Sequence, residues 1–393
     1  MNSYKVLFIL RILKNVLTGF VESFFVLYFL DVSDNNILPL GLYKLVAVTA
    51  IYLAILFTRN LAKSKYRIHL LRVGILLDLV YFCTIILLKN RLVDYIYIVG
   101  ILYGLEEGIY YSVYNMVESD EIANEERAGF TGAYTAVQAV LSIVFPLVFG
   151  SLIYANGFIK SMALVVAIVL IRIFFSMYLK PKRIPKEKKT NIREYLSRTK
   201  REPLFRQLYI TEFLYGLIFT EGAFAYIVTI YIVRVFSNSF SLGVFTSLFS
   251  LVTCVIGVLF AKCMRKEHYG PAIRGSMILT VICLILMIFN LRAGTIILFN
   301  LFYTVSKTLA TLINENIQAD LSNLENIKNE YKVEYWLANE TCFFAARLIS
   351  NMLFIGMAFL NGNMIILVFA AFLVLLGEAL VSMSGMMNKK KDG

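Results

Sequence analysis

Long apolar runs follow one another along almost the whole chain, separated by short polar segments. A helix needs ~20 mostly apolar residues to cross the hydrocarbon core of a membrane. Strands of a membrane barrel would alternate polar and apolar residues, and these runs do not. The pattern therefore predicts an all-α integral membrane protein. Its twelve predicted spans cover residues 6–31, 38–58, 69–89, 92–117, 128–155, 158–180, 207–233, 241–263, 271–291, 294–318, 334–360 and 363–385.

The composition agrees with this prediction. Of 393 residues, 59% are hydrophobic and 16% are charged, which leaves too little polar surface for a soluble protein of this length. The first apolar run lacks a small-residue cleavage site and is predicted to be a membrane span, not a signal peptide.

Lysine and arginine are concentrated in alternate connections, which orients the predicted spans. The loop "TRNLAKSKYRIH", the loop "KCMRKEHYG" and the tail "NKKKDG" are basic, whereas "DVSDNN", "YANG" and "NGN" carry no lysine or arginine. Both termini are therefore predicted to be cytoplasmic. The net charge of +12 comes largely from these loops and does not indicate nucleic-acid binding.

A strongly basic segment divides the chain in the middle. The predicted domains are a six-helix bundle over 1–180, a cytoplasmic linker over 181–206, and a second six-helix bundle with a short tail over 207–393. The linker either follows the positive-inside rule or rests as an amphipathic segment on anionic lipid heads.

The two halves resemble each other at an offset near 200 residues. The segment "LTGFVESFFVLYFL" (17–30) is loosely similar to "FTEGAFAYIVTIYIV" (219–233). Each of the two is followed by a polar loop and a Leu-Gly pair. Because each half has an even number of spans, both halves have the same orientation. This is an internal repeat of the kind found in transporters.

Two adjacent glutamates, Glu106 and Glu107, lie in the middle of span 4, with no lysine or arginine within ten residues on either side. An ionisable side chain in a membrane faces protein or a water-filled cavity. On a helical wheel, Glu107 lies near a stripe formed by Gly100, Gly104 and Gly108. We predict that Glu107 faces the cavity, whereas Glu106 meets a neighbouring helix or is protonated.

Polar stripes on spans 1, 4, 7, 10 and 11 suggest a site near the middle of the membrane. Glu221 reaches such a site only if span 7 is broken near Gly222. Single polar residues in membrane helices also serve as packing contacts, so each of them has a structural alternative. The predicted substrate-binding residues are Glu22, Glu107, Lys307, Asn15, Tyr303, Asn314, Tyr111, Tyr215 and Gln138. The predicted proton-coupling or buried charges are Glu107, Glu106, Glu22, Glu221, Glu340 and Arg347.

No metal site or cofactor is predicted, and enzyme chemistry has little support. Both histidines lie in short basic loops, and the five cysteines show no CxxC spacing. Neither a GxSxG motif nor a phosphate-binding loop is present.

The loop "RNLAKSKYR" resembles a sequence pattern of the major facilitator superfamily, G-x-L-A-D-R-x-G-R-R, with Leu61, Ala62 and Arg67 in place. "NEERAGFTGAY" is similar to that family's stretch entering helix 5, and "FPLVFG" is similar to the Gly-Pro motif of its exporters. The resemblance implies two six-helix bundles whose spans 1, 4, 7 and 10 line a central cavity. It also implies a gating loop, to which Lys63, Arg67 and Arg127 are assigned. The family's helix-4 arginine is absent, and "GLEEG" occupies that region.

These features predict a secondary transporter with alternating access. We expect it to be proton-coupled and to move a small amphiphilic, cationic or zwitterionic solute, with a preference for efflux. The alternatives are a lipid or amphiphile flippase of the same fold and, less favoured, a non-transporting sensor or a membrane-embedded enzyme. The expected location is the plasma membrane, a bacterial inner membrane, as a monomer in contact with membrane lipids.

Overall fold

A computed structural model gives the fold. It describes residues 3–62, 64–121, 124–180, 191–199, 202–220, 223–236, 238–322, 331–360 and 362–392. Every regular element among these residues is a helix, as the hydrophobic pattern predicted.

The helices of the first six spans follow the predicted order. Span 1 consists of α1, a π-helical segment over Val21–Phe25, and α2; a 3-10 segment over Lys89–Tyr95 connects spans 3 and 4. The bounds are Ser3–Phe20 for α1, Val26–Val32 for α2, Ile37–Ala62 for α3, Arg67–Leu88 for α4, Ile96–Glu121 for α5, Asn124–Asn156 for α6 and Phe158–Ser176 for α7.

The remaining helices comprise a short helix in the linker and spans 7 to 12. Span 7 is divided between α9 and α10, which end and begin at Ile218 and Ala223. The bounds are Ile192–Thr199 for α8, Pro203–Ile218 for α9, Ala223–Phe236 for α10, Ser239–Cys263 for α11, Tyr269–Phe289 for α12, Ala293–Ser322 for α13, Lys332–Gly356 for α14 and Gly362–Asp392 for α15.

Nine segments of the described chain are long and apolar enough to cross a membrane, and they are consistent with twelve spans. One of the nine, Arg67–Glu118, contains both α4 and α5. The two helices of span 7 are each too short to count alone, and α14 carries several charged residues. Spans 7 and 11 are therefore polar or interrupted helices, which is typical of membrane segments that line a cavity.

The chain divides into two compact units. Unit 1 comprises Met1–Lys189 and Ser237–Leu248, and unit 2 comprises Thr190–Phe236 and Phe249–Gly393. Within unit 1 the start of α11 packs closely on α6, and the Ser247 hydroxyl donates a hydrogen bond of 2.6 Å to the carbonyl of Ile143. This contact ties the first turns of α11 to unit 1.

Within unit 1, α5 lies directly against the backbone of α3 along its glycine stripe. A Cβ on Gly104 would lie 2.5 Å from the Cβ of Ala50, and one on Gly108 would lie 2.5 Å from the carbonyl oxygen of Ile51. Small residues at such spacing allow membrane helices to approach closely. The stripe is therefore a helix-packing surface, and it determines which way the remaining faces of α5 point.

Candidate functional site

A cluster of five charged side chains lies in the interior of unit 1. It consists of Lys14 on α1, Asp78 on α4, Glu106 and Glu107 on α5, and Arg172 on α7, and none of them is more than 2% exposed. We call it the buried charge cluster. Ionised groups at this depth are costly unless they are paired, so these residues must be understood together.

Lys14 is the centre of the buried charge cluster. Its Nζ lies 2.5 Å from Oε2 of Glu106, 2.8 Å from Oε1 of Glu107 and 3.6 Å from Oδ1 of Asp78. Arg172 forms an ion pair with the other carboxylate oxygen of Asp78. One lysine and one arginine thus connect carboxylates from two different helices.

The aromatic ring of Tyr110 lies close to both cations of the buried charge cluster, Lys14 and Arg172. The ring centroid of Tyr110 lies 5.5 Å from Nζ of Lys14 and 4.8 Å from the guanidinium carbon of Arg172. A cation over the face of a tyrosine ring is attracted by the ring quadrupole. Tyr110 follows the two glutamates by one helical turn on α5, so the same helix supplies the acids and the ring.

The buried charge cluster contains three carboxylates and two cations. With every group ionised it would carry one net negative charge in a medium of low dielectric constant. A single proton on one carboxylate removes that charge. Because isolated buried charges are costly, the ionisation of each of these five side chains depends on that of the others.

The expected separation of the two glutamates does not occur. Glu106 and Glu107 were predicted to face different environments, but both contact the same lysine. Adjacent helical positions differ by about 100° in direction, yet Lys14 approaches between them, and its flexible side chain reaches both carboxylates. Lys14 lay beside the predicted stripe of α1 and was not assigned a role.

Sequence reasoning missed Asp78 and Arg172. Each is an isolated ionisable residue in the middle of an apolar run, in "GILLDLVYF" and "IVLIRIFF". The rule that singled out Glu107, that ionisable groups inside membrane helices face protein or water, applies equally to both. Asp78 is acidic and Arg172 is basic, and these opposite charges could have indicated that the two side chains form an ion pair.

A second polar contact in unit 1 joins α1, α5 and α6. One guanidinium nitrogen of Arg11 donates to both carboxylate oxygens of Glu118, at 2.9 Å each, and its carbon lies 4.1 Å from the ring centroid of Tyr134. The side-chain amide of Asn15 donates a hydrogen bond to the hydroxyl of Tyr134. Arg11 and Asn15, both on the predicted stripe of span 1, thus face α6.

A network in unit 2 surrounds a buried acid that was not predicted. Glu212 on α9 is 1% exposed and accepts a hydrogen bond from the amide of Gln318 on α13. The carbonyl oxygen of that amide accepts from the Tyr335 hydroxyl and from Asn339 Nδ2, the latter at 3.1 Å. Glu212 lies near the start of predicted span 7, and the sequence analysis assigned it no role.

Side chains of α14 donate hydrogen bonds to backbone carbonyl groups at the point where span 7 is interrupted. The Ser350 hydroxyl donates to the carbonyl of Leu217 at 2.8 Å, and Arg347 Nε donates to the carbonyl of Thr220 at 3.3 Å. A helix end leaves carbonyl groups without partners, which inside a membrane must be satisfied by protein. Arg347 also lies 3.9 Å from Glu340 on its own helix.

The other predicted site residues are dispersed over the two units. In unit 1, Glu22 is exposed within the π-helical segment, Tyr111 is exposed, and Gln138 donates to Ser142 on its own helix at 3.3 Å.

In unit 2, Tyr215 shares a hydrogen bond of 2.8 Å with Thr311, Tyr303 stacks on Phe299, and Asn314 is buried. Lys307 is half-buried. Arg67 is buried; Lys63, Glu221 and the side chain of Arg127 lie outside the described residues.

The described residues contain no group of three or more His, Cys, Asp or Glu side chains placed to hold a metal ion. The site is instead built from paired ions and amides inside apolar helices. These features define a multi-pass membrane protein with buried ionisable groups, the class to which transporters belong.

Comparison with known proteins agrees with this class. The model of the Major Facilitator Superfamily matches residues 8–322. The chain is 18% identical over 339 residues to "Uncharacterized protein YqgE" of Bacillus subtilis (strain 168), covering 85% of this chain and 78% of that protein. It is also 28% identical over 133 residues to a Geobacillus stearothermophilus protein named "Uncharacterized protein in sodM 3'region", covering 34% and 62%.

Two solved structures share the fold over nearly the full length. A crystal structure of a mutant of the nucleoside transporter NupG gives a TM-score of 0.70 at 11% identity, covering 97% of this chain and 100% of that one. A bacterial homologue of the iron transporter ferroportin in an outward-facing state gives 0.60 at 14% identity, covering 98% and 100%.

The chain belongs to the major facilitator superfamily. It is therefore a secondary transporter and not an enzyme, with a small-molecule substrate and membrane lipids as its surroundings.

Proposed function

We propose that the chain is a proton-coupled transporter and that the buried charge cluster carries the coupled proton. The observation that supports this most is that three buried carboxylates, those of Asp78, Glu106 and Glu107, all contact the single amine of Lys14. A proton on one of these carboxylates removes its negative charge and so weakens its contact with Lys14.

The connectivity of the buried charge cluster links protonation to helix position. Lys14 lies on α1, whereas its acidic partners lie on α4 and α5. A proton on Glu106 or Glu107 weakens the attraction between α1 and α5, because a neutral carboxyl group no longer forms an ion pair. Moving helices in response to a bound proton is what alternating access requires.

The proposed substrate is a small amphiphilic solute that is cationic or zwitterionic, and the proposed direction is export. Glu22 and Tyr111 are exposed side chains of unit 1, and Tyr215 and Lys307 are candidate contacts of unit 2. That Glu22 and Glu107 face Lys307 across a central cavity stays a prediction. The segment "FPLVFG", similar to an exporter motif, favours efflux. Nucleosides, named for one structural relative, belong in the screen.

The proposed setting is the plasma membrane of a bacterium, with both termini in the cytoplasm and the chain acting as a monomer. The distribution of lysine and arginine between the two sets of loops supports this orientation. A cysteine-accessibility experiment on residues in the loop over 31–36 would test it, since reagents that cannot cross the membrane should reach that loop from outside.

The decisive experiment is proton movement in proteoliposomes that contain a pH-sensitive dye. Candidate solutes are added to vesicles containing wild type, Glu107→Gln or, as a control outside the buried charge cluster, Glu378→Gln, which removes an exposed acid on α15. We expect a solute that drives proton flux in wild type and in the control, and the loss of that flux in Glu107→Gln.

Two outcomes would contradict the proposal. Full proton-coupled activity of Glu107→Gln, Glu106→Gln and Asp78→Asn would show that the cluster does not carry the proton. Redistribution of a labelled lipid between leaflets, with no solute-driven proton flux in wild type, would favour the flippase alternative.

A further inference from the structure

The internal repeat places three polar contacts at corresponding positions of the two units. Arg11 and Glu212 are 201 positions apart, Glu118 and Gln318 are 200 apart, and Tyr134 and Tyr335 are 201 apart. Each set joins the first, fourth and fifth spans of its own half. The two sets are therefore versions of one arrangement, and their chemical difference is informative.

In unit 1 this arrangement is a complete ion pair. The fourth-span acid, Glu118, accepts two hydrogen bonds of 2.9 Å from Arg11 on the first span. The positive charge of the guanidinium balances the carboxylate, and the ring of Tyr134 covers it at 4.1 Å. No proton is required to make this set neutral.

In unit 2 the acid, Glu212, lies on the first span of its half, and its partner on the fourth span, Gln318, is an uncharged amide. Glu212 accepts from Gln318, and Asn314 on the same helix α13 also hydrogen-bonds to it. Among the described residues no lysine or arginine forms an ion pair with Glu212. The carboxylate is 1% exposed, so bulk water does not balance its charge, and within the described part of the chain no cation does either.

The groups that face Glu212 do not supply a positive charge. Tyr335, Cys342 and Glu340 approach from α14, and Glu340 is itself acidic. Tyr215 lies on the same helix. The amide oxygens of Asn314 and Asn339 are buried and have no hydrogen-bond donor among the described residues. The surroundings are thus rich in acceptors, and a hydrogen on the acid would add a donor to them.

We propose that Glu212 is a second proton-binding site, in which a bound proton replaces the arginine of the corresponding contact in unit 1. The site extends the proposed proton coupling to unit 2, and its role in transport rests on that proposed function. Protonation of Glu212 itself can be measured without any substrate. Two separate proton sites would give the transporter one titratable centre in each unit.

Infrared spectroscopy of the purified chain in lipid tests the proposal directly. A protonated carboxyl group has a carbonyl stretching band that shifts on exchange from H₂O to D₂O, and a carboxylate lacks it. We expect wild type to show such a band near neutral pH that Glu212→Gln removes. Glu107→Gln, which alters the buried charge cluster of unit 1, should keep it, so the two sites are measured separately.

Variants of Gln318 provide a matched pair. Gln318→Arg supplies the cation that unit 1 has, so Glu212 should ionise and its protonated band should disappear. Gln318→Met, which adds no charge, should keep the band. An unchanged spectrum in Glu212→Gln, or a band that persists in Gln318→Arg, would overturn the proposal. So would a carboxylate spectrum at all pH values that responds to sodium, because that indicates a metal cation in place of the proton.

Discussion

Replacing Lys14 with methionine removes the cation that contacts all three carboxylates of the buried charge cluster. The three contacts measure 2.5, 2.8 and 3.6 Å. At an effective dielectric constant of about 20, each corresponds to roughly 5–7 kcal/mol of Coulomb attraction. Most of this offsets the removal of the ions from water, so that losing one partner of a buried pair costs about 3–5 kcal/mol. In the variant Glu106 and Glu107 lose their contact with Lys14, and Asp78 keeps its ion pair with Arg172.

We expect Lys14→Met to unfold roughly 6–20 °C below wild type in detergent, because ~2–4 °C accompanies each kcal/mol in segments of about 150–250 residues. The assay is the fraction of monodisperse protein after heating, measured by size-exclusion chromatography. Lys5→Met, at an exposed position of the same helix, is the control and should stay near wild type. Adding Glu106→Gln to Lys14→Met should recover part of the loss. Equal midpoints for Lys14→Met and Lys5→Met would refute the reasoning.

Three further predictions concern other contacts. Gly104→Val should destabilise the protein through a clash with α3, whereas Gly132→Val, where nothing lies within 4 Å, should not; both are compared by heating in detergent. Ser350→Ala should cost about 1–3 kcal/mol, since a buried carbonyl at the end of α9 loses its donor, and unchanged thermal stability would contradict that role. The variants Arg11→Ala and Glu118→Ala should each destabilise, and their double variant should be less harmful than the sum of the two. Additive losses would show that the pair is not coupled.

Much of the fold was accessible from the sequence because membrane helices must be long, apolar and separated by polar loops. The predicted spans agree with the observed helices to within a few residues at most ends, as for α6, predicted over 128–155 and observed over Asn124–Asn156. The π-helical segment at Val21–Phe25 was not foreseen, since the hydrophobic pattern predicts a helix but does not distinguish π-helical from α-helical hydrogen bonding. The interruption of span 7 was considered because Gly222 stands beside Glu221.

The candidate site was harder to predict, because a helical wheel gives the direction of a residue but not its partner. Glu107 was recognised as important from its position alone. Its contact with Lys14 depends on how α1 approaches α5, which the sequence of either helix alone does not give. The glycine stripe of α5 was interpreted as lying near the cavity, whereas it packs against α3. Glu212 was overlooked since it stands near the end of a span, where charges are common.

The central claim is that the buried charge cluster carries the coupled proton, and two activities of Glu107→Gln test it most directly. With a solute identified by the proton-flux screen, Glu107→Gln should retain exchange of labelled for unlabelled solute across the vesicle membrane, which needs no net proton movement. The same variant should fail to drive the solute against its concentration gradient when a pH gradient is applied. Retention of both activities would contradict the assignment of the coupled proton to the buried charge cluster.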